Sequence, residues 1–384
     1  MIYLDNAATS FPKPPAILAA MTHYATAIGA SPGRSSHRLA ADAGRLVFQA
    51  REQAARLFNI SDSSRIIFTK NVTEALNLAI FGLVQPGDRV LTTAMEHNSV
   101  IRPLRYLEQE GRITLDIIPA TPTGKPDLEY LKHQLQKHSF QLAVLNHGSN
   151  VTGNIFPLAE IIPLLKTEGI TVIIDGAQTA GAIPIDLRKL DSDIFCFTGH
   201  KSLFGPQGTG GFVLKEGVLP SPLIRGGTGS RSEAEYQPEF LPDYYESGTP
   251  NTIGLAGLAA ALMFINQTTV EEIHRREREL TRKLWQGLGT ITGLRLYGPG
   301  ADQDHLPIIS FTLNQLTPAE IAFNLDRHHD IMVRVGLHCA PLAHKTIGTF
   351  PQGTVRLAPG YFNTDREMET VIEAIGKMAA HSPG

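Results

Sequence analysis

The chain has 384 residues, with 42% apolar and 18% charged side chains and a net charge of −3, the composition of a globular protein long enough for two domains and a deep site. That balance gives no electrostatic footprint for nucleic acid, and neither a basic apolar leader nor ~18 uninterrupted apolar residues occurs, so a cytoplasmic protein is expected. Its two cysteines, Cys196 and Cys339, exclude a disulfide framework and a four-thiolate metal site.

In chain order, β-branched runs alternate with amphipathic segments from about 65 to 215, the pattern of βαβ units building a mostly parallel sheet. Strands are predicted at 65–69, 89–93, 142–145, 171–175 and 193–198. Helical spacing of apolar residues falls between them at 74–84, 99–110, 128–136 and 158–168. Residues 216–250 are rich in Gly, Pro, Ser and aromatic residues and read as a long irregular excursion. Helices at 251–265 and 270–289 follow. Strands near 308–313, 331–335 and 354–357, with helices near 318–327 and 365–379, then read as a smaller α+β unit. The expected division is a large domain at 13–255 and a small domain made of 1–12 and 256–384.

In such sheets ligands sit at the carboxyl ends of the strands, so the residues just after each strand are the candidates. One strand ends in Asp175-Gly-Ala-Gln178 and another in Thr198-Gly-His-Lys201. An acid and a lysine at two strand ends suit a pyridine cofactor: the carboxylate keeps the ring nitrogen protonated and the amine forms an imine. After the first strand, Asn71 or Thr73 can cap a helix whose free N–H groups would seat a phosphate. His97 ends the 89–93 strand region, where a flat imidazole can stack on a planar group. Asn150 lies in a loop of amide and hydroxyl donors, Asn146-His-Gly-Ser-Asn150. Taken singly, each has an ordinary reading as a loop cap, a solvated lysine or a plain N-cap.

Taken together, these blocks resemble a cysteine desulfurase of the class V aminotransferase family, the fold-type I pyridoxal-phosphate enzymes. The resemblance runs from Tyr3-Leu-Asp-Asn-Ala-Ala-Thr9 to Tyr361-Phe-Asn-Thr364. It includes Asn71-Val-Thr-Glu-Ala, Glu96-His-Asn-Ser, Ser149-Asn-Val-Thr-Gly, Gly248-Thr-Pro-Asn251 and Arg334-Val-Gly-Leu-His-Cys339-Ala. It implies pyridoxal 5'-phosphate as cofactor, Lys201 as the Schiff-base lysine and Asp175 as partner of the pyridine nitrogen. It further implies Gln178 on the ring hydroxyl, His97 stacked on the ring and Asn150 beside cofactor and substrate. The phosphate would take Thr73, Thr198 and His200, with Thr249 arriving from a second copy in a homodimer that shares its active sites.

The cofactor supplies an electron sink and the protein selects the bond. The candidate selector is Cys339, in the loop Gly336-Leu-His-Cys-Ala-Pro341, because Cys196 lies inside an apolar strand where it reads as packing. A thiolate there can attack the sulfur of L-cysteine and keep it as a persulfide, for transfer to an acceptor protein. Arg356 stands at the family's substrate arginine and can grip a carboxylate at two points. The 17 positions between them (356 − 339) make the cysteine loop short, as in the group II, SufS-like enzymes. Two departures are a start directly at the Leu-Asp-Asn-Ala motif and Pro359-Gly360 after the arginine. A selenocysteine lyase and a class V aminotransferase that ignores the thiol are the alternative activities.

Overall fold

A computed structural model describes residues 1–33 and 37–381. Its largest layer is a seven-stranded sheet in the order Ile66–Thr69, Gly210–Leu214, Ile194–Thr198, Thr171–Asp175, Leu142–Asn146, Asp88–Thr93 and Ile113–Ile118. All strands run parallel except Gly210–Leu214, which is antiparallel to both neighbours. Every residue of Leu142–Asn146 and Ile194–Thr198 is buried, which explains why these strands read as continuous apolar runs rather than alternating ones. Two apolar clusters, one holding Leu145, Ile174 and Phe195 and the other Val144, Ile173 and Ile194, cover the two faces.

The predicted helices of this layer form close to their expected bounds, as Val72–Leu83, Asn98–Gln109, Leu128–Lys137 and Leu158–Thr167. Elements that were not expected include the helices Pro15–His23 and Arg38–Leu57 and the strands Ile113–Ile118 and Leu294–Tyr297. The twenty-residue helix Arg38–Leu57 buries Ala40, Ala43, Ala50, Ala54 and Ala55. Small alanines let it pack closely, and its apolar and polar residues segregate at the helical period.

The smaller unit is a four-stranded sheet in the order Arg334–Gly336, Thr354–Leu357, Ile309–Leu313 and Leu294–Tyr297. The single strand expected at 331–335 is two. Ile331–Met332 pairs parallel with Ile2–Tyr3, whereas Arg334–Gly336 pairs antiparallel with Thr354–Leu357. Helix Thr252–Thr268 sends Leu258, Leu262 and Ile265 into the core of the large sheet. In helix Val270–Leu288, Val270 and Ile273 join that same core, while Leu280, Leu284 and Leu288 pack with Phe311 and Val355. The two cores therefore meet along this helix.

The stretch 216–250 contains no helix or strand, and it is tied down by Glu246. That carboxylate takes both terminal nitrogens of Arg51 at 2.9 and 2.8 Å and the backbone N–H of Phe68 at 2.7 Å. Arg51 is 5% exposed and also donates to Ile66 O. Removing one partner of a buried pair strands the other charge. Glu246→Ala should therefore cost about 3 kcal/mol in urea unfolding; an unchanged midpoint would show that the excursion is held elsewhere.

Candidate active site

A cavity of about 290 Å3 opens at the carboxyl ends of the parallel strands, where such sheets bind ligands. Ten of the eleven predicted site residues line it. At one end stand Thr73, Thr198 and His200; in the middle lie His97, Asp175, Gln178 and Lys201; at the other end lie Asn150, Cys339 and Arg356. Thr249 does not line it. It is exposed in a separate groove with Leu223, Ile224 and Tyr245.

The first end begins with a helix cap. Asn71 accepts from Glu74 N at 3.0 Å, so Asn71 is the capping residue. Thr73 is thereby left to turn its hydroxyl to Ser99 Oγ at 2.8 Å. Strand Gly210–Leu214 passes so close beneath this helix start that a Cβ at Gly210 would meet Asn71 Cα at 2.7 Å. Thr198 Oγ1 and His200 Nδ1 are buried with no hydrogen-bond partner among the described residues. Burial, followed by the charges of Lys201 and Lys13, lowers the His200 pKa to about 4. Two helix-start N–H groups, two hydroxyls and a neutral imidazole therefore line one cavity, a donor set that could seat an anion.

In the middle, Asp175 ends one strand and Lys201 follows the adjacent one. Asp175 Oδ1 accepts from Ala177 N at 2.9 Å and its carboxyl is 6% exposed. Burial raises its pKa, against the pull of that N–H and of Lys201. Lys201 is lowered to about 8, by burial first, opposed by Asp175 and helped by Arg356 and Arg334. An amine so placed is partly free base near neutral pH and can act as a nucleophile. His97 Nδ1 accepts from Ser99 N at 3.1 Å, so the proton of the neutral ring sits on Nε2. Burial, then Lys201 and Arg356, holds the His97 pKa near 3. Gln178 Nε2 donates to Ala7 O at 3.1 Å, which fixes its amide.

At the far end the two cysteines part. Cys196 is fully buried in its strand and its thiol pKa is raised well above the usual value by burial and Asp175. Cys339 is exposed and opens into the cavity. His338 and Cys339 have φ of 47° and 57°, two consecutive left-handed residues that cost about 1 kcal/mol each. Polar contacts hold them there: Asn150 Nδ2 donates to His338 O at 2.6 Å and Asn98 N to Cys339 O at 2.7 Å.

Arg356 is 2% exposed. It donates through Nη2 to Asp5 Oδ1 at 2.8 Å and through Nη1 to Asn150 O at 3.0 Å, and its Nε has no partner among the described residues. Asp5 also lies 3.7 Å from Arg334, which lines the cavity. Sequence reasoning assigned no role to Asp5, Arg334 or Ser99. All three stood inside quoted blocks, but only the fold shows that Asp5 comes from 351 positions away to meet Arg356. No single helix among the described residues is long and apolar enough to cross a membrane.

The geometry has counterparts in known proteins. The model of the aminotransferase class-V family matches residues 2–371. A probable cysteine desulfurase of Pyrococcus abyssi is 34% identical over 98% of this chain and 94% of that protein. A cysteine desulfurase of Cronobacter sakazakii is 32% identical over 98% and 92%. Among solved structures, the apo cysteine desulfurase of Thermococcus onnurineus superposes with a TM-score of 0.92 at 32% identity, covering 99% of this chain and 94% of its own. The Escherichia coli cysteine desulfurase CsdA, in an S-sulfonic acid form, reaches 0.89 at 26% identity, covering 99% and 95%.

Proposed function

The chain belongs to the aminotransferase class-V family, and from that premise we propose that it is a cysteine desulfurase, converting L-cysteine to L-alanine and keeping the sulfur on Cys339 as a persulfide. One observation carries the reading: an exposed thiol shares a single cavity with a strand-end lysine of lowered pKa and a buried guanidinium.

Pyridoxal 5'-phosphate fits the residues present. The unpartnered Thr198 Oγ1 and His200 Nδ1, with Thr73 at the helix start, suit a phosphate, and a buried carboxyl suits a pyridine nitrogen. When bound, the cofactor supplies the electron sink that weakens bonds at the substrate's α- and β-carbons. Lys201 would hold it covalently and Asp175 would pair with its ring nitrogen. Gln178 would meet the ring hydroxyl, and the neutral His97 ring would stack on it.

The chain's own groups then divide the work. Arg356 grips the substrate carboxylate through the guanidinium hydrogens that Asp5 and Asn150 leave unused, and Asn150 sits between that anchor and the cysteine loop. Lys201 Nζ takes and returns the α-proton, since its pKa of about 8 allows both. The Cys339 thiolate forms an S–S bond to the substrate sulfur as the C–S bond breaks. The bonding pair passes to carbon, which takes a proton and becomes the methyl group of alanine. Arg356→Lys should raise KM for L-cysteine by about 10-fold or more, because an ammonium cannot form the two-point contact, with the cofactor's visible band unmoved. An unchanged KM would remove the anchor role.

A homodimer with shared sites explains why Thr249 lies outside the cavity of its own chain, in a groove with Leu223 and Ile224: it would reach the partner's phosphate. The exposure of Cys339 suits delivery of sulfur to an acceptor protein. Two unpaired thiols suit a cytoplasmic setting. The test is mass spectrometry after treatment with L-cysteine. The Cys339 peptide should gain one sulfur atom that a reductant removes; an unmodified peptide alongside alanine formation would overturn the reading.

A further inference from the structure

The polar contacts behind the cysteine loop have directions that can be read one from the next. Ser310 Oγ donates to Val151 O at 2.6 Å, so it meets Thr354 Oγ1, 3.1 Å away, as acceptor. The single hydroxyl proton of Thr354 is spent there. Its contact with His338 Nε2 at 3.1 Å therefore requires the imidazole to donate. His338 is the Nε2–H tautomer, and burial followed by the charge of Arg356 keeps the ring neutral.

The chain of contacts closes on itself. Asn150, the neighbour of Val151, donates from its side chain to His338 O, and its own carbonyl accepts from Arg356. Ser310 and Thr354 are fully buried, Arg356 is 2% exposed, His338 5% and Asn150 6%. Water cannot replace a partner in so dry a place, so each lost bond leaves a buried group unpaired. His338 immediately precedes Cys339, and both are held in the left-handed region.

We propose that Thr354 and Ser310 are positioning residues, whose hydroxyl relay from Val151 O to the His338 ring holds the His338–Cys339 pair in the conformation that aims the thiol at the substrate sulfur. The relay rests on the reading of Cys339 as sulfur acceptor, and it links that thiol to the arginine that grips the substrate. Reactive groups displaced by about 1 Å can lose two orders of magnitude in rate.

The test compares the holoenzyme with its Thr354→Val, Thr354→Ser and Ser310→Ala variants. Sulfur arriving on Cys339 is followed by rapid quench and mass spectrometry, beside KM for L-cysteine and the cofactor's visible band. Thr354→Val keeps the side-chain shape and removes the hydroxyl, so sulfur loading should slow about 10-fold or more with KM and band within about twofold. Thr354→Ser should restore loading to within about twofold of wild type. Ser310→Ala frees the Thr354 proton without deleting its oxygen and should slow loading about threefold; it carries the test alone if the valine variant does not fold. Wild-type loading in Thr354→Val, or a serine variant as slow as the valine one, overturns the relay. So does a loss of KM and cofactor band in proportion to rate. A wild type that puts no sulfur on Cys339 overturns the underlying reading, and the relay with it.

Discussion

Replacing Cys339 with alanine is expected to cut alanine formation from L-cysteine by about 10³-fold or more and to end sulfur capture altogether, while the cofactor's visible band stays as in the wild type. Cys196 cannot deputise. It is fully buried inside its strand, with burial and Asp175 pushing its thiol away from ionisation. The loop should survive the change, because Asn98 N grips the backbone carbonyl of residue 339 rather than its side chain. The groups around Lys201 and Asp175 do not depend on the thiol for any hydrogen bond. The loss should therefore fall on sulfur removal and not on cofactor capture. Alanine and sulfide assays, read against absorbance of the same samples, check this. Cys339→Ser is the companion, since a hydroxyl keeps the shape but is neither readily ionised nor a good acceptor of sulfur. Turnover above about a tenth of wild type in either variant would be incompatible with a sulfur-accepting thiol, because losing a nucleophile costs far more than that.

Much of the large layer was legible because its central strands are buried on both faces. A strand such as Leu142–Asn146 is written in apolar residues up to Leu145, and its carboxyl end then names the next polar residues as site candidates. Asp175 and Lys201 were found in this way, and the sheet sets their strands side by side. Helix Arg38–Leu57 was legible in principle, since its apolar and polar residues segregate at the helical period, but it precedes the alternating strand region that carried the pattern. The split of 331–335 was not legible, since an extended run looks the same whether its halves join one sheet or two. The choice between Asn71 and Thr73 as helix cap also had to wait: both residue types can cap, and only geometry shows Asn71 on Glu74 N and Thr73 on Ser99.

The site's individual residues were easier to foresee than their mutual contacts. His338 was visible only as the neighbour of Cys339. Its bonds to Thr354 and Asn150 depend on chain segments brought together from 16 and 188 positions away. Asp5 is the sharpest case. Nothing in a short acidic-amide motif says which arginine it will meet, yet it occupies Nη2 of Arg356. It thereby takes one of the guanidinium hydrogens that a substrate carboxylate would otherwise use.

Lys201→Ala should abolish the borohydride-fixable linkage between cofactor and protein and lower kcat by about 10⁴-fold or more, while cofactor still binds reversibly. Reversible binding is expected because the anion seat at Thr73, Thr198 and His200 and the carboxyl of Asp175 are untouched. Loss of the cofactor on gel filtration but retention at high cofactor concentration would show that division. The wild-type lysine carries a second, sharper expectation. Burial and the nearby arginines hold its pKa to about 8, against the opposing charge of Asp175. Only the unprotonated amine attacks an aldehyde. The rate of covalent capture of pyridoxal phosphate by cofactor-free protein should thus rise with pH up to about 8 and level off above it. An ordinary solvated lysine would keep gaining up to about pH 10. A profile still climbing through pH 9 would mean that burial does not tune Lys201. Arg356→Met separates the causes further: it removes a positive charge that lowers the Lys201 pKa, so the plateau should move to higher pH, whereas a change acting only on substrate binding would leave it in place.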